Sequence, residues 1–411
     1  RLTGFPLARE RRKAKVLFYL QFQQPDNSNS NNRIPFAPRP LMTDIALYLP
    51  NLAAGGAERT FLRLAAGFAE RDCRVRLVVD RAEGSLLDAV RADGLALETL
   101  SAARTLTALP KLAAWLRRER PAVLLSAITH NNLIAVWARA LARAPTRVVV
   151  SEHTVLSAQA DSQAGWQYRV LAPLCRWTYP RAAAIVAVSA GAADDLARYA
   201  GLARDRIEVI PNPVVTPDYP RRIAAPCPHP WPTDGGPPVF VAAGRLVQLK
   251  DFPALLHALA SVRRRAPARL LVLGEGPERD ALLALRARLG LDDAVDLPGF
   301  CDDPLPLFAR AAALVVSSRF EGFGLTLVEA LACGTPVIST DCPTGPAEIL
   351  AGGTYGRLVP VGDADALAAA MLATLADSPD RDRLRRRAQE YTLAAVVERY
   401  LALFARAKPV R

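Results

Sequence analysis

The chain has 411 residues, half of them hydrophobic, and a formal charge of +12, enough for two or three ordinary domains with substantial cores. It contains no apolar run of the roughly 18 residues that read as a spanning helix, and it does not open on a charged start with a short apolar core and a small-residue cleavage site, so the expected location is the cytoplasm. Half of the excess charge falls in residues 1–41, and no basic stretch is interleaved with aromatics. Nucleic acid is therefore set aside as a partner, while an anionic membrane surface stays open.

Residues 1–41 run from a basic start through the short apolar patch VLFYL into polar and proline-rich sequence. Such a segment buries too little surface to order itself. It is expected to be a disordered extension upstream of a start at Met42, with a transit-like or tethering role as the competing reading. From Met42 the chain alternates short β-type runs with helical patterns. The first runs are DIALYLPNL, RVRLVVD, LALETL, AVLLSA, TRVVVSEH, AAIVAVS and RIEVIPN, with helices such as AERTFLRLAAGFAE between them. This pattern predicts parallel βαβ units over residues 42–212. Residues 213–238, crowded with proline, are expected to be a linker. The alternation then restarts over 239–392 with PVFVAAG, ARLLVLGEG, AVDLPGF, ALVVSS, TPVIST and YGRLVPV, and a last helix covers 393–411. The expectation is an α/β protein with two doubly wound sheets facing each other across a cleft, ligands binding at the carboxyl ends of the strands. Cys73, Cys175, Cys227, Cys301, Cys333 and Cys342 form no C-x-x-C pair, and are read as buried small hydrophobes rather than a disulfide framework or zinc site.

The groups that carry chemistry fall at those strand ends. VFVAAG runs into Gly244-Arg245, with Lys250 just before the helix DFPALLHALA, where a cation opposes the helix dipole unless an anion joins it. The other reading of this pair is a solvated basic loop. Gly274-Glu275-Gly276 and Pro298-Gly299-Phe300 follow the next two strands, as tight turns or as places where a ligand nears the backbone. ALVVSS delivers Glu321, and GFGLTLVEALACG exposes helix-start amides suited to phosphate oxygens, with Glu329 a turn further on. In the first half, Gly55-Gly56 lies between a strand and a helix but lacks the third spaced glycine of a dinucleotide fingerprint. His130 and His153 each follow a strand.

Taken together, AAGGAERT, GRLVQLKDF, LGEGP, LPGF, the E-x7-E pair of FEGFGLTLVEALACGTPVI, and CPTGPAEIL followed by GRLVPVGD resemble the family 4 glycosyltransferases, retaining enzymes of the GT-B fold that move a sugar from a nucleotide diphosphate donor. The resemblance runs from about Asp44 to the carboxyl end and implies C-terminal helices that return toward the first domain. It implies that Arg245 and Lys250 neutralise the donor diphosphate, that Glu321 lies near the transferred sugar and that Glu329 holds the ribose hydroxyls. Phe323, Gly324 and Leu325 would present backbone amides, and Gly274, Glu275 and Gly276 would belong to the donor site. Leu297 to Phe300 would contact the base, Gly55-Gly56 would close over the phosphates, and His153 would stand near sugar and acceptor. UDP-sugars are the favoured donors.

No cofactor is expected: two cations and the half-charge of a helix start balance a diphosphate of about −2 without a metal. Asp363 and Asp365 form a literal D-x-D, but they open a helix, which favours capping. The expected acceptor is a lipid-linked or cell-surface glycan; a soluble acceptor, a UDP-sugar epimerase on the same fold, and a non-catalytic binding protein are the other readings. LPKLAAWLRRER motivates peripheral membrane contact, with Leu112, Trp115 and Leu116 on one helix face beside Lys111, Arg117, Arg118 and Arg120; an ordinary covering helix is the alternative.

Overall fold

The computed structural model describes residues 43–407 apart from 54, 93, 104, 158–164 and 378. The extension expected over residues 1–41 lies outside the described residues. Every β-type run becomes a strand. β1 (Asp44–Leu49), β2 (Arg74–Val79), β3 (Ala96–Thr99), β4 (Val123–Ala127), β5 (Arg147–Glu152), β6 (Ala184–Ala187) and β7 (Ile207–Val209) form one sheet in the order β3-β2-β1-β4-β5-β6-β7. β8 (Val239–Ala243), β9 (Arg269–Leu273), β10 (Val295–Gly299), β11 (Ala313–Val316), β12 (Val337–Thr340) and β13 (Arg357–Val359) form a second in the order β10-β9-β8-β11-β12-β13. All pairings within the two sheets are parallel, so both faces must be covered.

Period-two alternation shows in the cores. On β1, Ala46 and Tyr48 face a layer with Leu112, Leu133 and Leu196, while Ile45, Leu47 and Leu49 face Phe61, Leu64 and Phe68 of the Gly56–Ala69 helix. The second of these layers is completed by the end of the chain. The helix Leu393–Arg406 returns to the first sheet, burying Val397, Tyr400 and Phe404, with the Phe68 ring 6.3 Å from Tyr400 and 5.6 Å from Phe404. Gly67 permits this approach, since a Cβ there would lie 2.6 Å from Val397. Val214 and Leu393 bond across to Tyr391 and Val215, so the chain passes between the halves twice at adjacent points.

Three expectations need correction. The proline-rich segment 213–238 is more than a linker: it holds the helix Tyr219–Ile223 and the turn Trp231–Thr233, and it buries Val214 and Tyr219 in the second core. Two of its prolines, Pro220 and Pro232, stand in the first turn of these elements, where a fixed φ and a missing N–H cost little. The helix Thr105–Glu119 does not present Leu112, Trp115 and Leu116 to a membrane. All three are buried, with Trp115 Nε1 donating to Glu98 Oε2 at 2.6 Å under the Arg76 guanidinium; it is a covering helix of the first sheet. All six cysteines are free, but only Cys175, Cys333 and Cys342 are fully buried. Asp363 caps the helix Ala364–Ala376 by accepting from the Ala366 N–H at 2.8 Å.

Candidate functional site

Between the carboxyl ends of the two sheets lies a cavity of about 770 Å³. In each sheet the strand order reverses beside the first strand, between β1 and β4 and between β8 and β11, and the segments that follow these four strands all reach the cavity. It is lined by Gly56, His153, Arg245, Lys250, Gly274, Glu275, Phe300, Glu321, Phe323, Gly324, Leu325 and Glu329 among the residues singled out from sequence. Gly55, Gly276 and Leu297 stand outside the lining. Leu297 is buried, and a Cβ on Gly276 would meet the Leu246 carbonyl at 2.3 Å. Gly274, at φ +141°, likewise serves a protein contact, since a Cβ there would lie 2.0 Å from Gly244 O. These glycines let strand-end loops pack on one another.

The anion that Lys250 was expected to need is supplied within the protein. Lys250 Nζ donates to Glu321 Oε1 at 2.5 Å, and Ser318 Oγ donates to the same oxygen at 2.6 Å. Arg245 is exposed and carries no ion pair among the described residues. Gly324, in the left-handed region at φ +96°, turns the chain into the helix Leu325–Cys333, whose start no side chain caps. Its first amides therefore point a partial positive charge at the cavity. Glu329 is the fifth residue of that helix, 3.6 Å from Arg63 Nη2. Burial raises its pKa, against the pull of Arg63, Arg222 and Arg59.

From the first sheet, β5 delivers His153. Its Nε2 lies 3.1 Å from Ser151 Oγ, the edge of Phe61 packs on the ring, and Nδ1 has no hydrogen-bond partner among the described residues. Burial pushes the imidazole pKa down to about 4, so the ring is neutral near pH 7. A Cβ on Gly322 would lie 2.4 Å from the His153 carbonyl, so the loop carrying Glu321 rests directly on the strand end carrying His153. Glu152, next to His153, is buried and accepts from Thr129 Oγ1 and Asn132 Nδ2, each at 3.0 Å, which fixes the β4 and β5 loops together. Burial raises the Glu152 pKa. The cavity wall between these loops includes Ile128 at φ +74°, a conformation a β-branched residue rarely adopts.

Sequence reasoning missed three cations. Arg59 and Arg63, on the helix Gly56–Ala69, reach the cavity, and the Arg59 guanidinium lies 6.0 Å over the exposed Phe300 ring. Their spacing of four within a helix was a readable signal. Arg222 comes from the proline-rich segment and makes two 2.9 Å bonds to Asp303; once that segment is taken as a linker, nothing marks it. His130 also lines the cavity, its pKa lowered by burial.

Comparison with known proteins matches the two halves separately. The Glycosyltransferase Family 4 model covers residues 54–217, and the Glycosyl transferases group 1 model covers residues 228–391. The lipopolysaccharide core biosynthesis glycosyltransferase LpsE of Rhizobium meliloti is 36% identical over 178 residues, 42% of this chain and 51% of the relative. The matched stretch thus spans about half of that protein's length. A Campylobacter jejuni enzyme, N-acetylgalactosamine-N,N'-diacetylbacillosaminyl-diphospho-undecaprenol 4-alpha-N-acetylgalactosaminyltransferase, is 28% identical over 63% of this chain and 67% of its own. The crystal structure of Anabaena Alr3699/HepE in complex with UDP and glucose superposes with a TM-score of 0.73 at 21% identity, covering 88% of this chain and 99% of that one, a likeness of fold. With one family model over each sheet and the shared cleft between them, the chain belongs to the family 4, group 1 glycosyltransferases of the GT-B fold.

Proposed function

We propose that this chain transfers a hexosyl or N-acetylhexosaminyl group from a UDP-sugar, with retention of anomeric configuration, to a hydroxyl of a lipid-linked or cell-surface glycan. The observation that carries the reading is the convergence of Arg245, Lys250 and the uncapped start of the helix Leu325–Cys333 on one cavity, with Glu321 and Glu329 on one wall and His153 on the other. Two cations and a helix start balance a departing diphosphate of about −2, so no metal is required for charge. In this reading Lys250 exchanges its bond to Glu321 for one to the diphosphate, which frees Glu321 to orient the sugar. Glu329 takes the ribose hydroxyls. The leaving diphosphate, held by Arg245 and Lys250, accepts the acceptor's proton on the face it leaves, so no covalent intermediate on the protein is needed. Neutral His153 hydrogen-bonds the sugar or the acceptor.

The glycan acceptor is supported by the two curated relatives, one named for lipopolysaccharide core biosynthesis and one for an undecaprenol-linked substrate. The UDP donor is supported by the UDP complex of the structural neighbour. No described helix is long and apolar enough to cross a membrane. Contact with an anionic surface falls in this reading to exposed Leu106, Leu141 and Trp177, on three helices of the first half, amid exposed Lys111, Arg117, Arg143 and Arg181. The test is incubation with UDP-hexoses and UDP-N-acetylhexosamines plus a polyisoprenyl-diphosphate glycan. Acceptor-dependent release of UDP with an axial or equatorial product linkage matching the donor supports the proposal; an inverted linkage, or an epimerised donor without transfer, contradicts it.

A further inference from the structure

Below the cavity, outside its lining, the segment Cys342–Ile349 holds both the donor-side loop and the opposite half of the molecule. Thr344 Oγ1 donates to the Glu321 carbonyl, and Gly345, at φ +84°, packs so closely on Phe323 that a Cβ would lie 2.1 Å from its carbonyl oxygen. Four residues beyond Thr344, the Glu348 carboxylate leaves this half altogether. Its two oxygens accept the backbone N–H groups of Ala190 and Gly191, each at 2.7 Å, at the start of the helix Ala190–Ala200 in the first half. Ser189 Oγ accepts the next free amide, that of Ala192, at 3.1 Å and donates to the Gly322 carbonyl at 3.2 Å. Arg387 sets the backbone of the Glu348 turn from behind, donating to the carbonyls of Glu348 at 2.7 Å and Ile349 at 2.9 Å.

A helix start is commonly satisfied by neighbours in sequence. Here two of its amides depend on a carboxylate more than 150 residues away, attracted by the positive end of the helix dipole. These bonds exist only while the two halves are together, and the Glu321 and Gly322 carbonyls of the donor-side loop are held by the same cluster. We propose that Glu348 is a positioning residue. By latching the helix Ala190–Ala200 it ties closure of the two halves to the placement of the Glu321–Phe323 loop against His153. The catalytic consequence rests on the transferase reading above; the latch itself does not.

The test uses the full chain with Glu348→Ala and Glu348→Gln. Glu348→Ala is expected to lower kcat by about tenfold or more while UDP affinity holds, with a fall in melting temperature from the two lost bonds. Amide exchange at Ala190 and Gly191 should quicken, and solution scattering should show a more open particle. Glu348→Gln, which keeps one accepting oxygen, should fall between Ala and wild type in every readout. Unchanged exchange and scattering in Glu348→Ala would overturn the latch whether or not any sugar is transferred. A more open particle with wild-type kcat would overturn its role in positioning, as would kcat and UDP affinity falling in step.

Discussion

Lys250 and Glu321 are joined at 2.5 Å in the cleft, the ammonium at the end of the loop after β8 and the carboxylate on the loop after β11. The residue expected to meet the donor's negative charge is thus neutralised by the residue expected to meet its sugar. This keeps a partly buried cation from standing unpaired before substrate arrives.

In the proposed reading each of Arg245 and Lys250 makes a charge-assisted contact to the leaving group, and losing one costs about 1.5–3 kcal/mol. Arg245→Ala is expected to fold normally, Lys250→Ala to melt lower because Glu321 loses its cation, and both to lower the transfer rate about tenfold to a hundredfold or more. Steady-state kinetics on purified, folded variants is the check.

The two glutamates separate by what each touches. Glu321→Gln keeps the size of the side chain but loses the charge opposite Lys250, and should depress kcat more than UDP affinity. Glu329→Gln should weaken UDP binding instead. Calorimetry with UDP alongside kinetics distinguishes them, and the reverse pattern would exchange their roles.

Gly322 has no room for a side chain, because a Cβ would sit 2.4 Å from the His153 carbonyl. Gly322→Ala must push the donor-side loop off the β5 end, with overpacking of about 1–3 kcal/mol. The expected result is a lowered melting temperature and transfer reduced more than tenfold at about the level a 1 Å misplacement produces; a fully active Gly322→Ala would show that this contact does not place the loop.

His153 makes a pH prediction with a definite sign. The native ring titrates at about 4, whereas an unfolded histidine titrates at about 6.5. Between these values the unfolded chain binds a proton that native His153 refuses, so this residue's contribution to stability falls as pH drops through that window. The raised carboxyls of Glu58, Asp80, Glu152 and Glu329 act in the opposite direction. The comparison must therefore be with His153→Asn. From pH 7 to 4.5 the wild type should lose stability relative to the variant, by up to about 1.4 kcal/mol per pH unit; parallel melting curves would contradict the assignment.

All thirteen strands of the two sheets were legible because parallel strands buried on both faces leave dense apolar runs bounded by glycine, proline or polar turns. Glu321, Lys250 and His153 were legible for the same reason, each standing just past such a run. What could not be read is whatever depends on contact across the cleft. Arg222 lies in a proline-rich stretch with no periodicity, and Glu348 gives no hint in sequence that its partners are Ala190 and Gly191. The helix Thr105–Glu119 shows the converse. Its amphipathic pattern fits a membrane face and a sheet-covering face equally, and only the burial of Trp115 decides between them.

Thermal unfolding with UDP reports whether Arg245 and Lys250 hold a nucleoside diphosphate sugar in this cleft. At about one hundred times its dissociation constant UDP should stabilise the wild type by about 2.7 kcal/mol, and the Arg245→Ala/Lys250→Ala double variant should lose most of that gain at the same concentration. A wild type that none of UDP, GDP or ADP stabilises, or a double variant stabilised as much as the wild type, would mean that these two cations do not hold a nucleoside diphosphate.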